Sequence, residues 1–225
     1  MLDRGVFADL IRYDAATVSN AIESFNVRPR TDGFTDLTLR CMYPDLRPIA
    51  GVAVTCRMES STETPNKPNL LPDLFNRIRD LDVPVIVVCA QTGPEPEKTC
   101  LAGDLVSAML QRIGAVGIVT SCAARDLDIV RWRAPGFQIF ARGNVASHGT
   151  GRIIEVGEPV TVAGLTIATG DILHGDHNGV VSVPEEIAPS VPAAAQAVLD
   201  KEDAMQRRIH AEPFDYESLR RDFTH

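Results

Sequence analysis

GDLVSAMLQRIGAVGIVTSCAARD, residues 103–126, carries a helix and a strand back to back. Leu105, Val106, Met109, Leu110 and Ile113 recur at helical spacing, which predicts a helix from Asp104 with these side chains as its apolar face. AVGIVTS (115–121) then reads as a buried strand. Working outward, VPVIVVCA (83–90) is a second buried strand, DLDIVRWR (126–133) a short helix and FQIFAR (137–142) a third strand. This is a βαβαβ unit. Continuous apolar strands of this kind belong to a parallel sheet covered on both faces, and right-handed crossovers set successive strands side by side.

That topology explains the charges at the two ends of the stretch. Gly103-Asp104 lies in the loop leaving one strand and Arg125-Asp126 in the loop leaving its neighbour, so both reach the carboxyl edge of the sheet. Ligands of open α/β sheets bind at that edge, where helix N-termini present free N–H groups and positive dipole ends. Two carboxylates and a guanidinium there suit a divalent cation and an anionic substrate. Taken singly, each residue also fits a plainer role, Asp104 as a helix start and Arg125-Asp126 as a solvated loop pair.

The flanking segments read as additions to this unit. DAATVSNAIESF predicts a helix over about 15–25 behind an Asp14 cap, and 28–48 an irregular connection. IAGVAVTCRM (49–58) is a strand, SSTETPNKPN (60–69) a polar loop, and Leu70, Leu74, Ile78 and Leu81 mark a helix with Pro72 in its first turn. After Arg142, RIIEV, PVTV, LTIA, DILHG and VVSVP predict an antiparallel meander of short strands separated by turn signals. From Pro184 to about Ile209 the chain is helical, with Ala197, Val198, Met205 and Ile209 as apolar positions and Pro189 and Pro192 delaying its start. The expected organisation is one domain over 1–225: an N-terminal helical extension (1–48), a core (49–183), and a C-terminal helix and tail (184–225).

A net charge of -8 excludes a nucleic-acid partner held through phosphates, since the basic residues cluster only at Arg207-Arg208 and Arg220-Arg221. Neither a signal peptide nor a membrane span is read from the sequence, and the expected location is cytoplasmic. Five cysteines without a C-x-x-C pair read as reduced core thiols. Cys122, beside Arg125, is also weighed as a thiolate, but no histidine lies near it in sequence to serve as a base.

Asp104, twenty intervening residues and Arg125-Asp126 resemble the D-x20-R-D signature of the family that joins the regulator of ribonuclease activity A (RraA) to the class II pyruvate aldolases, among them 4-hydroxy-4-methyl-2-oxoglutarate aldolase and 4-carboxy-4-hydroxy-2-oxoadipate aldolase. ATVSNAIE, FARGNVASHG and GLTIATGDILHGDHNGVVSVP resemble further family segments. The resemblance implies an α/β three-layer α/β/β sandwich, similar to the phosphohistidine swivelling domain, assembled as a homotrimer or dimer of trimers with the site at a subunit boundary. It implies Mg2+ or Mn2+ held directly by Asp126 and through water by Asp104. Arg125 would face the enolate oxygen, and the backbone at Gly103, Asp104 and Leu105 would bind the carboxylate of a small 2-oxo acid. Glu202 is the nearest match to an acidic metal ligand from a neighbouring subunit, and an exposed helical glutamate is its plainer reading. The implied reaction is retro-aldol cleavage of a 4-hydroxy-2-oxo diacid to pyruvate, and oxaloacetate decarboxylation passes through the same enolate.

The non-catalytic ribonuclease inhibitors of the family are the alternative, and Asp126 argues against that branch. A methyltransferase reading lacks the glycine-rich strand-to-helix loop that it requires. His174, Asp176 and His177, with His148 in another loop, form a rival metal set, although HGDHNG is better explained as a hairpin with Asp176 bonded to an Asn178-Gly179 turn. Arg142 and Ser147-His148 follow the third strand and could face the same rim; for Arg142 a surface ion pair fits equally.

Overall fold

The strand expected over 49–58 runs longer and organises the sheet around it. The computed structural model describes residues 4–60, 68–93 and 96–223, so positions 61–67 of the expected polar loop and the last two residues of the tail lie outside it. In chain order the elements are α1 (Arg4–Leu10), α2 (Ala15–Glu23), β1 (Arg40–Cys41), β2 (Ile49–Ser60), α3 (Leu71–Arg79), β3 (Val85–Gln91), β4 (Cys100–Ala102), α4 (Asp104–Arg112), β5 (Ala115–Thr120), β6 (Ala123–Ala124), α5 (Leu127–Arg133), β7 (Gln138–Ala141), β8 (Gly151–Val156), β9 (Val160–Val162), β10 (Leu165–Ile167), β11 (Ile172–Asp176), β12 (Gly179–Val183), α6 (Val191–Ile209) and α7 (Tyr216–Leu219). The main sheet runs β1-β7-β5-β3-β2-β11-β12, with β8 also on β2. β2, β3, β5 and β7 are parallel, as the crossovers require.

Alternation along these strands builds three layers. Val54, Cys56, Val85, Val87, Cys89, Ile118 and Ile139 face one way, packing with Leu74 and Ile78 of α3, Leu110 of α4 and Val130 of α5. Ala53, Ile86, Val88, Val119 and Phe140 face the other way and meet Val160, Val162, Leu165 and Ile167 of the β9–β10 hairpin. Helices α1, α2 and α6 cover Ala50, Ile172, Val181 and Val183. The arrangement is an α/β/β sandwich.

Three expectations need correcting. The five late strands are not one meander: β8 pairs with the far half of β2, β9 and β10 form their own hairpin, and β11–β12 returns to the near half of β2. At twelve residues, β2 is long enough to take two antiparallel partners end to end. On α4 the inward line is Ser107 and Leu110 with Val106 half-buried, whereas Leu105 is 74% and Met109 43% exposed. Both outward residues lie one stripe round the helix from the line that meets the sheet. On α6 only Val191 and Ala195 are buried and Ala197 is exposed, because the helix overhangs the core after its first two turns. The expectation missed α1, although Phe7 and Leu10 carry helical spacing and both are buried.

Asp14 caps α2 as expected, accepting from Thr17 N at 2.7 Å. In the tail, Arg208 reaches back to Asp222 (2.5 Å) and Ser218 Oγ (3.1 Å), folding α7 against α6.

Candidate active site

Two short strands that the sequence did not reveal draw the ends of the opening stretch together. β4 and β6 are parallel neighbours, with Cys100 opposite Ala123 and Ala102 opposite Ala124. Ala123 N donates to Thr99 O at 2.9 Å and Arg125 N to Ala102 O at 3.0 Å. The loop after β7 joins them, since Ala124 N donates to Gly143 O (2.8 Å) and Val145 N to Ala124 O (2.9 Å). Three loops leaving three parallel strands are therefore hydrogen-bonded to one another just before Gly103 and Arg125.

Gly103 occupies the cap position of α4, so no side chain satisfies the first amides of that helix. Those N–H groups open onto a cleft of about 250 Å³ lined in part by Gly103, Asp104, Leu105, Arg125, His148 and Arg152. The side chains of Arg125 and Asp126 lie over Gly103: a Cβ placed there would meet Arg125 Nε at 3.2 Å and Asp126 Oδ2 at 3.5 Å. Arg125 Nε contacts Asp126 Oδ2 at 3.2 Å, and both side chains are about 30% exposed. Asp126 holds a left-handed backbone (φ 55°) at the start of α5 and makes no side-chain cap. Such a conformation costs about 1 kcal/mol for a non-glycine residue and concentrates at functional positions. Here it turns the carboxylate toward Gly103 instead of its own helix. Asp104 is bonded to Arg133 Nη1 from the last turn of α5.

Gly149 brings a further loop to the cleft. Its φ is +65°, and a Cβ there would lie 2.6 Å from Lys98 O, so glycine alone lets 147–151 lie against 98–100. Cys100 N donates to His148 O at 3.3 Å, which sets His148 at the mouth. Arg142 instead contacts Glu97 at 3.7 Å in a neighbouring shallow cleft, the ion-pair alternative. Ser147 is used locally, accepting from Gly149 N at 3.2 Å. Sequence reasoning missed Asn69, Arg152 and Arg133, whose approach depends on pairings beyond any local signal. Glu202 is exposed on the overhanging part of α6.

The thiolate reading of Cys122 fails: hydrogen bonding with Cys89 and burial push its thiol well above the ordinary range. Burial likewise raises Cys100, at the cleft wall, to about 12 despite the nearby Arg125. HGDHNG is the expected hairpin, with Asn178 N donating to Asp176 Oδ1 at 2.7 Å. Asp176 also accepts from Ala15 N at 2.9 Å, His174 is buried against Tyr13 O (3.1 Å), and His177 is exposed. The histidine metal set is not assembled.

Among the described residues no group of three or more His, Cys, Asp or Glu could hold a metal. The donors at the rim are two carboxylates, hard oxygens beside uncapped amides. They fit magnesium or manganese, which need few protein ligands and complete their shells with water and substrate.

The uncapped start of α4, Asp104 with Arg133, and Asp126 with Arg125 thus meet on one rim of an α/β/β sandwich. Residues 15–182 match the RraA-like family (Aldolase/RraA), and the chain belongs to that family. It is similar to a protein of Halalkalibacterium halodurans named "Putative 4-hydroxy-4-methyl-2-oxoglutarate aldolase", 33% identical over 111 residues, 48% of this chain and 51% of that protein. The chain thus spans about half the length of that relative. A crystal structure of an uncharacterized protein from Pseudomonas syringae pv. tomato superposes with a TM-score of 0.74 at 22% identity, covering 98% of this chain and 95% of that one. Streptomyces coelicolor RraAS2, described as an unusual member of the RNase ES inhibitor RraA family, superposes at 0.70 with 20% identity, covering 92% and 98%. No helix among the described residues is long and apolar enough to cross a membrane.

Proposed function

We propose that this protein is a divalent-metal-dependent aldolase that cleaves a 4-hydroxy-2-oxo diacid of the 4-hydroxy-4-methyl-2-oxoglutarate type to release pyruvate. The observation that carries the reading is the convergence of Asp104, Arg125 and Asp126 around the uncapped start of α4. Asp126 would hold Mg2+ or Mn2+ directly and Asp104 through water. When bound, the cation supplies Lewis-acid stabilisation of the electron-rich oxygen that develops as the carbon–carbon bond breaks.

The chain's own residues do the rest. The amides of Asp104 and Leu105 bind the 2-oxo acid's carboxylate at the positive end of α4. Arg125 directs its guanidinium to the enolate oxygen and, being always protonated, orients a water as proton acceptor rather than acting as the base. Arg152 and His148 line the same cleft and suit a second, distal carboxylate. Oxaloacetate would lose its β-carboxylate as CO2 to leave the same enolate, which a proton then converts to pyruvate.

The exposed Leu105, Met109, Ile129 and Trp132, on the outer sides of two neighbouring helices beside the cleft, support burial against a second copy in a trimer or dimer of trimers. Glu202 of such a copy would complete the site. The test is pyruvate release from the diacid with Mg2+ or Mn2+, abolished by chelator and by Asp126→Ala. An absence of turnover on such diacids with either metal, together with capture of a ribonuclease by the parent and Asp126→Ala alike, would replace this reading with the regulator's.

A further inference from the structure

Arg133 is absent from the D-x20-R-D signature, yet its guanidinium is bonded to one of the signature's carboxylates. Its Nη1 donates to Asp104 Oδ2, on a carboxylate that is only 16% exposed. The helix that delivers it is firmly tied down. Tyr43 Oη donates to Leu127 O at 2.7 Å, and Arg131 grips both oxygens of Asp45 at 2.5 and 2.7 Å. Trp132 adds a cation–π contact, its ring centre 5.8 Å from the Arg133 guanidinium.

Each carboxylate of the rim therefore carries its own guanidinium, Arg125 on Asp126 and Arg133 on Asp104. Two negative and two positive groups make these two pairs formally neutral where two bare carboxylates would give -2, and Arg152 adds a further positive charge to the cleft. A dication is attracted less strongly by carboxylates whose charge a guanidinium offsets than by bare ones.

We propose that Arg133 is a positioning residue acting through Asp104: it holds one carboxylate oxygen, offsets its charge, and keeps the cleft's affinity for a divalent cation below what the carboxylates alone would give. This rests on the metal-dependent reading above. For a unit charge on the order of 7 Å from a divalent ion in water-like surroundings, Coulomb's law gives roughly a five- to tenfold change in dissociation constant.

The experiment is Mn2+ binding to the intact chain, followed by the free-ion electron paramagnetic resonance signal at low ionic strength without keto acid. Arg133→Met binds Mn2+ about five- to tenfold more tightly than the parent, Arg133→Lys binds like the parent, and added salt narrows the gap. Should Arg133→Met fail to fold, Arg133→Gln removes the charge and carries the same expectation. A merely structural role moves affinity the other way, so an unchanged or larger dissociation constant overturns the proposal. If the parent binds Mn2+, Asp126→Ala does not, and loss of the Arg133 charge does not tighten binding, this inference alone falls. If the parent shows no saturable Mn2+ binding, the aldolase reading falls with it.

Discussion

Gly103→Ala separates the stability of the fold from the geometry of the site. Gly103 has φ -113° and ψ -178°, which alanine adopts without strain. The helix cap weakens, since glycine is preferred to alanine there, while the unfolded chain loses freedom worth about 0.4–1 kcal/mol in the opposite direction. Net stability should stay within about 1 kcal/mol of the parent. The added methyl, however, would sit 3.2 Å from Arg125 Nε, so the guanidinium must shift by a few tenths of an ångström, while Asp126 Oδ2 at 3.5 Å stays in ordinary contact. Displacements of this kind at a reacting centre cost on the order of 10- to 100-fold in rate, or about 1.4–2.7 kcal/mol of transition-state stabilisation. The assay couples pyruvate release to NADH oxidation by lactate dehydrogenase, with thermal melting run in parallel. Parental kcat/KM in a folded Gly103→Ala protein would refute the placement of the chemistry above this residue. Gross unfolding would refute the steric account.

Burial lowers the pKa of His174 from 6.5, opposed in part by Asp176 and Asp14, so the folded protein holds it neutral with Nε2–H donating to Tyr13 O. The unfolded chain takes up the proton first, so this contribution is full above pH 6.5 and declines below it by at most about 1.4 kcal/mol per pH unit. Urea midpoints from pH 7.5 to 5.5 should fall less steeply in His174→Gln than in the parent; parallel slopes would count against the buried neutral ring. Tyr43→Phe removes the bond to Leu127 O and should cost about 1 kcal/mol in urea unfolding. Trp132→Ser, at a position 76% exposed in the single chain, should shift light-scattering mass toward a smaller species, and an unchanged mass would remove this helix from the interface.

The βαβαβ unit was legible because continuous apolar strands and helical spacing are local signals. VIVVCA and GIVT announce buried strands whatever surrounds them. The shared rim followed from topology alone. Partner choice among the late strands did not, because RIIEV, LTIA and DILHG look alike, and which joins β2 and which becomes the third layer is settled by long-range pairing. Leu105 and Met109 misled for a related reason: an apolar residue beside a helix's buried stripe reads as core when no second surface is in view. Asp104, Arg125 and Asp126 were legible through spacing and resemblance. Arg133 and Arg152 were not, because each reaches the rim through folding of distant segments.

The lacing of β4 to β6 has a mechanical consequence. Because the two arms are fastened to each other ahead of the helices they lead into, the span between the loops that carry Asp104 and Arg125-Asp126 is gauged locally, like the jaws of a caliper locked near their tips. A small tilt of the crossover behind them would leave that setting in place, because the β4–β6 bonds and not the helix packing fix it.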